Sequence, residues 1–403
     1  MTDTGSLLQA LECPACSTSF DASHVASTCP TCSQALFATY ELSKLAARPW
    51  VQSWAGRPAT LWRYRELLPV RTSEMVTSLG EGFTSVIPLG EVEGVEGVAV
   101  SLKDDGSMPT GSFKARGMAV AVSRARELGL KALYVPSAGN AGVALAAYAA
   151  RAAIPARVYL PEQTPAPMKD AVRLYGGEVV EVRGTIREAG EEARAQEKGR
   201  GSFDLSTLRE PYRVEGKKTM GLEIFEQYSP DDLPDAIVYP TGGGTGLVGM
   251  EKAFSELKTL GLMDRVPRMF AVQPEGCAPV VRALSAGAPR VTPWTDPYTI
   301  APGLLVPAPF SSEQVLRAVR STKGGGVTVS DREILAAMRA LAARHGVSAS
   351  PEGAAPYAAL PRLLQNRLIH AGERVLLYNT GTGLPFSIEA LERALGQSLR
   401  GAP

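Results

Sequence analysis

Ser107-Met108-Pro109-Thr110-Gly111-Ser112-Phe113-Lys114-Ala115-Arg116-Gly117 sets a lysine at the opening of a helix, behind a Pro-Thr-Gly turn and beside a phenylalanine. A lysine at a helix start is ordinarily a solvated surface residue. Here the apolar neighbour and the positive end of the helix dipole both disfavour the ammonium, so the pattern also suits a nucleophilic amine. The stretch follows a strand-like run, Val98-Ala99-Val100-Ser101-Leu102, and the helix it opens near Ser112 is expected to run through 115–128.

Outward from this point, strands and helices alternate. Ala132-Leu133-Tyr134-Val135, Val158-Tyr159-Leu160, Val179-Val180-Glu181-Val182, Ala236-Ile237-Val238-Tyr239, Phe270-Ala271-Val272 and Val375-Leu376-Leu377-Tyr378 read as short buried strands. Between them lie helical patterns such as Ala141–Arg151, Gly221–Tyr228 and Val248–Leu260. That alternation implies parallel sheets covered on both faces, with ligand sites beyond the carboxyl ends of the strands. Before it come a connector of helical appearance with Trp50, Trp54 and Trp62, and the turn Leu79-Gly80-Glu81-Gly82-Phe83-Thr84.

Three further loops follow strands. Pro136-Ser137-Ala138-Gly139-Asn140-Ala141-Gly142 opens a helix whose amides suit a carboxylate, with Asn140 able to donate to a ring oxygen. Ser137 or Asn140 can equally be a plain N-cap. Pro240-Thr241-Gly242-Gly243-Gly244-Thr245-Gly246-Leu247 lets backbone wrap a phosphate at a helix N-terminus, with hydroxyls from Thr241 and Thr245, although a bare tight turn has the same wording. The Gly-x-Gly-x-x-Gly spacing and acidic ribose ligand of a dinucleotide site are not evident. Tyr378-Asn379-Thr380-Gly381-Thr382-Gly383-Leu384 offers two hydroxyls to a heterocyclic nitrogen, or simply ends a strand.

The balance of 42 Lys+Arg against 41 Asp+Glu, in 403 residues, gives no field for nucleic acid or an anionic membrane, so neither is an expected partner. No apolar run approaches the ~20 residues of a membrane span, and Met1-Thr2-Asp3-Thr4-Gly5 does not read as a secretory signal. Four of the five cysteines fall in the first 32 residues, as Cys13-Pro14-Ala15-Cys16 and Cys29-Pro30-Thr31-Cys32 separated by 12 residues. Each Cys-x-x-Cys turn presents two sulfurs to one tetrahedral ion, so structural zinc on Cys13, Cys16, Cys29 and Cys32 and a reducing, cytoplasmic setting are expected. The alternatives are redox pairs or a module that folds without metal. His24 is surplus to such a site, and the segment has neither the basic residues nor the aromatic run of a nucleic-acid binder. Cys277 reads as an ordinary buried thiol.

Over about 75–400 the order of these motifs resembles fold-type II pyridoxal-phosphate (PLP) enzymes, the tryptophan synthase β-like group that includes threonine synthase, serine/threonine dehydratase and cysteine synthase. The resemblance implies an α/β enzyme of two parallel-sheet domains plus a small N-terminal zinc-ribbon-like module. It implies that Lys114 carries PLP as a Schiff base and serves as general base and acid. It makes Asn140 the ligand of the ring's 3′-oxygen, Gly242, Gly243, Gly244, Thr245 and Gly246 the phosphate cup, and Thr380 the partner of the ring nitrogen. A neutral hydroxyl there would leave the pyridine largely unprotonated.

Leu79-Gly80-Glu81-Gly82-Phe83-Thr84 and Pro211-Tyr212-Arg213-Val214-Glu215-Gly216-Lys217-Lys218-Thr219 resemble threonine synthase wording, which implies a lyase converting O-phospho-L-homoserine and water to L-threonine and phosphate. Lys103, Ser137, Ala138, Gly139 and Arg213 are then the candidates for holding that amino-acid substrate, each with a surface ion pair or cap as its alternative. Ser350-Pro351-Glu352-Gly353-Ala354-Ala355 also resembles a family segment near the ring, so Glu352 is either a group that orients substrate or a carboxylate on a helix dipole. The chain departs from the family at Ala115, Ala138, Ala141, the triple glycine and Thr382. Those departures keep open a serine/threonine dehydratase or another β-elimination or β-replacement enzyme, and, more remotely, a non-catalytic PLP-fold scaffold. The expected domains are 1–40 for the module, 41–115 with 216–403 for the large PLP-binding domain, and 116–215 for a small domain carrying the Ser137–Asn140 loop, with the cofactor in a cleft that closes against water. A homodimer is expected from the resemblance.

Overall fold

The computed structural model describes residues 5–46 and 50–398. Met1-Thr2-Asp3-Thr4, part of the stretch read for a signal, lies outside the described residues, as do 47–49, within the expected 41–115 segment, and 399–403, the end of the expected 216–403 segment.

The described residues pack as two compact units. One comprises the described part of Met1–Phe83 with Lys114–Glu223 and Lys252–Asp264; the other comprises Thr84–Phe113, Ile224–Glu251 and the described part of Arg265–Pro403. The second unit is built on a six-stranded sheet in the order Gly325–Val329, Arg268–Pro274, Ala236–Pro240, Arg374–Asn379, Ala99–Asp104, Val86–Gly90. Its first five strands are parallel, and the innermost, Ala236–Pro240, is buried along its whole length. A parallel strand covered on both faces must be apolar on both, which is why these segments read as continuous hydrophobic runs. The sixth strand runs antiparallel, a departure from the purely parallel expectation. Pro88 explains its place: without an N–H, proline is tolerated at an edge.

The first unit holds a four-stranded parallel sheet, Glu178–Val182, Ala156–Pro161, Leu133–Pro136, Phe203–Asp204. It also holds a three-stranded antiparallel sheet, Ser19–Asp21, Leu8–Glu12, Phe37–Tyr40. Parallel strands in both units end on a proline (Pro136, Pro161, Pro240, Pro274), and the Ser137 and Thr241 loops begin at the next residue. The tryptophan-bearing connector is not α-helical: it forms 3₁₀ turns at Val51–Gly56 and Leu61–Leu67, with Trp50, Trp54 and Tyr64 stacked edge to face. Among the described residues no helix is long and apolar enough to cross a membrane.

Candidate functional site

In the Ile224–Glu251 part of the second unit, the glycine loop joins Ala236–Pro240 to the fifteen-residue helix Thr245–Thr259. The loop is closed in by its surroundings at Gly242, Gly244 and Gly246. A Cβ at Gly242 would overlap the Gly303 carbonyl oxygen, one at Gly244 the Val315 side chain, and one at Gly246 the Tyr239 phenol. Gly244 also has φ +73°, a conformation that costs an L side chain strain. The result is a run of bare backbone at the positive end of a long helix, the donor set that a phosphate dianion requires. Thr241 and Thr245 are both buried there, and the Thr241 hydroxyl donates to the Tyr239 carbonyl at 3.1 Å. The turn around Gly303 was missed in the sequence, where its sole signal is Ala301-Pro302-Gly303. Glu352 holds that turn: its Oε1 accepts from the Gly303 amide at 2.7 Å.

The second element of the site is a knot of three segments in the same unit. The Phe113 amide donates to the Thr380 carbonyl at 3.0 Å, the Thr382 amide to the Gly111 carbonyl at 2.8 Å, and the Ser350 amide to the Gly381 carbonyl at 2.8 Å. The turn is stiffened from below by Asn379, which donates to Asp104 Oδ1 at 2.8 Å and accepts from the Gly381 amide at 3.3 Å. Desolvation raises the Asp104 carboxyl above its ordinary range, against the hydrogen bond from Asn379. Thr380 is buried within this knot, whereas the Thr382 hydroxyl accepts from the Leu384 amide at 3.3 Å. Thr110 Oγ1, Ser112 Oγ and Glu352 Oε2 are buried side-chain oxygens with no hydrogen-bond partner among the described residues. Such atoms in a folded interior call for a polar partner. With the glycine cradle, they give a donor and acceptor set that fits pyridoxal phosphate.

Lys114 follows Phe113 directly and is the first residue of the helix Lys114–Glu127, half-buried rather than solvated. In the first unit, the loop after Pro136 turns into the helix Asn140–Arg151 through Gly139 at φ +136°. The Ser137 hydroxyl is an N-terminal cap here: its oxygen accepts from the Gly139 and Gly142 amides, each at 3.0 Å. Ala138 and Asn140 are partly exposed on either side of the buried Gly139.

Two substrate candidates are occupied by their own surroundings. Lys103 is fully buried, and its ammonium donates to the Thr84 carbonyl at 2.6 Å and to Gln227 Oε1 at 2.8 Å. Arg213, 3% exposed, donates to the Leu205 carbonyl and opens the helix Arg213–Gln227. The segment read as a motif before a helix at Gly221 is therefore the first two turns of that helix. Glu81 of the Leu-Gly-Glu-Gly turn is likewise internal, accepting from Trp62 Nε1 at 2.8 Å, the Leu79 amide at 2.7 Å and Tyr148 Oη at 2.7 Å.

The four N-terminal cysteines converge, with their sulfurs all within 4.8 Å of one another. Neighbouring sulfurs lie 3.4–3.6 Å apart, close to the ~3.7 Å edge of a tetrahedron with ~2.3 Å zinc–sulfur bonds. Hydrogen bonds from Thr18 pull the Cys16 thiol down to about 6. The Gln34 amide favours the Cys32 thiolate, but the bond to Cys13, desolvation and the other sulfurs push that thiol up to about 12. Cys277 is a buried thiol raised to about 11 by desolvation.

Residues 77–381 match the model of the family described as "Pyridoxal-phosphate dependent enzyme". The chain is 36% identical to a protein named threonine synthase from Methanosarcina acetivorans, over 92% of this chain and 91% of that one. It is 33% identical to one of the same name from Methanocaldococcus jannaschii, over 92% of each. Among solved structures it resembles maize serine racemase with a TM-score of 0.66 at 22% identity, covering 79% of this chain and 92% of that one, a likeness of fold. With the family model spanning most of its length, this chain belongs to the pyridoxal-phosphate dependent enzymes.

Proposed function

We propose that this protein is a threonine synthase-like lyase that converts O-phospho-L-homoserine and water to L-threonine and phosphate. The observation that carries the reading is the 33–36% identity to proteins named threonine synthase over 92% of the chain.

When bound, pyridoxal phosphate supplies an electron-withdrawing ring that acidifies the substrate Cα proton. The Gly242–Gly246 amides and the Thr245 hydroxyl would hold its phosphate, the Asn140 amide would donate to its 3′-oxygen, and the Thr380 hydroxyl would serve its ring nitrogen. Lys114 Nζ would carry the cofactor and, once released by the substrate amine, would take and return protons at Cα, Cβ and Cγ as phosphate leaves Cγ and water adds at Cβ. The backbone at Ala138 and Gly139, positioned by the Ser137 cap, receives the substrate carboxylate at a helix N-terminus. Lys103 and Arg213, each bound to carbonyl oxygens of its own unit, position loops rather than touch substrate. Cys13, Cys16, Cys29 and Cys32 hold one structural zinc within a module of residues 1–40, in the reducing surroundings of a cytoplasm, and the enzyme works as a homodimer.

One observation favours a second reading. The loop Ser137-Ala138-Gly139-Asn140-Ala141 lacks hydroxyls at 138 and 141, as in dehydratase wording, which weakens a site for a phosphorylated substrate. A substrate panel separates the two. Equal amounts of phosphate and threonine from O-phosphohomoserine are expected. Ammonia and 2-oxobutyrate from threonine, without phosphate turnover, would replace the first reading with the second.

A further inference from the structure

The three-stranded sheet beside the cysteines has its last strand, Phe37–Tyr40, ending within the first unit. Tyr40, the last residue of Phe37–Tyr40, is 7% exposed, and its phenol donates to Glu215 Oε2 at 2.8 Å. Glu215 lies in the first turn of Arg213–Gln227, within the threonine synthase-like wording that no substrate role has absorbed. Two lysines complete the cluster. Lys218 Nζ lies 2.7 Å from Glu215 and 2.9 Å from Glu256, and Lys252 Nζ lies 3.2 Å from Glu215. Both ammonium groups face the Tyr40 ring, at 3.8 and 4.8 Å from its centre. Two carboxylates and two ammonium groups balance, as buried charges must, and the tyrosine supplies a neutral donor and an electron-rich face.

The adjacent stripe of the same helix is fastened to the helix that begins with Lys114. Glu223 pairs with the fully buried Arg116, whose Nη2 donates to Glu223 Oε2 at 2.8 Å, while Arg116 Nη1 donates to Thr219 Oγ1 at 3.0 Å. Gly216 permits the approach, since a Cβ there would overlap the Arg116 carbonyl oxygen. Positions 216, 219 and 223 share one helical face, and 215 and 218 flank it. In the other direction, Leu8 pairs with Tyr40 and Glu12 with Phe37, so Cys13 sits ~13 Å along the strand from the Tyr40 end. An unbroken chain of packed, paired groups thus runs from the cysteine cluster to the first turn of the Lys114 helix.

We infer that Tyr40 is a positioning residue for Lys114: through Glu215 and the helix Arg213–Gln227, the N-terminal module fixes the seat of the Lys114 helix. The module is then a strut of the enzyme rather than an appended binding domain, and the Arg-x-Glu-Gly-x-Lys-Thr wording marks the docking helix rather than a substrate contact. The inference holds whichever amino acid is the substrate.

The test is amide hydrogen exchange by mass spectrometry on the full chain without cofactor, comparing wild type, Tyr40→Phe, Tyr40→Ala and the control Thr39→Ala. Loss of a hydrogen bond to a buried carboxylate in Tyr40→Phe should speed exchange about tenfold in both 213–227 and 114–127, leaving 374–379 unchanged. Tyr40→Ala should do more and Thr39→Ala nothing. With cofactor bound, the pH midpoint of its absorbance should shift in Tyr40→Ala and return part-way in Tyr40→Phe. Wild-type exchange at 114–127 in both Tyr40 variants, acceleration spread evenly over both units, or one common midpoint would each overturn the inference.

Discussion

Replacing Gly244 by alanine tests the glycine cradle at its tightest point. Two costs follow from the structure. The residue sits at φ +73°, where an L side chain is strained by ~1–2 kcal/mol. The added methyl also meets the fully buried Val315 side chain, and overpacking of this kind costs ~1–3 kcal/mol. Together these amount to about 2–5 kcal/mol, divided between the stability of the cofactor-free protein and its affinity for PLP. A loop that relaxes outward spares stability and loses affinity, by roughly thirtyfold or more in Kd. Gly261→Ala is the matched control: φ is +68°, yet nothing lies within 4 Å of the new Cβ, so only the strain remains. The assays are PLP titration by absorbance and thermal melting of the cofactor-free chain. If Gly244→Ala binds PLP with wild-type affinity and melts like Gly261→Ala, the loop is not a close-fitting phosphate cup and the reasoning fails.

Two further outcomes are expected. Burial pushes the Glu210 carboxyl up to about 7, against the pull of Arg213 and the Tyr212 and Arg213 amides. A carboxyl whose pKa is higher folded than unfolded binds its proton more tightly in the folded state. Its stabilising contribution is therefore full below pH ~4.5 and is lost as the pH rises to about 7, on the order of 3 kcal/mol in all. Wild type should accordingly lose stability relative to Glu210→Gln between pH 5 and 8, and parallel melting curves would contradict this. The reduced protein should contain one zinc per chain, and chelation or Cys16→Ser should remove it and speed hydrogen exchange within 8–40; well under one zinc per chain would refute the metal site.

Much of this architecture is written in local sequence. Ala236–Pro240 and the middle of Arg374–Asn379 are legible because a parallel strand covered on both faces reads as a nearly continuous apolar run. The loops that follow them are legible because only glycine tolerates Gly244's dihedral and its neighbours' approach. What escaped reading depends on partners far along the chain. Lys103 and Arg213 read as substrate ligands, or as surface ion pairs, until Thr84, Gln227 and Leu205 are seen around them. Ser137 offers both a cap and a ligand, and only the folded turn shows its oxygen on the Gly139 amide before the helix and the Gly142 amide in its first turn. The strand Gly325–Val329 opens on glycines that weaken any strand pattern, yet Gly324 is required because a Cβ there would overlap the Met269 carbonyl. Pro88 disguised an edge strand in the same way, and the tryptophans of the connector gave an apolar pattern that 3₁₀ turns satisfy as well as an α-helix.

The claim on which the account turns is that Lys114 Nζ carries the cofactor. Reduction of the PLP-loaded protein with borohydride, followed by peptide mapping, should place the phosphopyridoxyl group on Lys114, with no label on Lys103, Lys217 or Lys218. The Lys114→Ala variant should stay unlabelled and lose the visible absorbance of the bound cofactor. A label on another lysine, or one that persists undiminished in Lys114→Ala, would contradict the account.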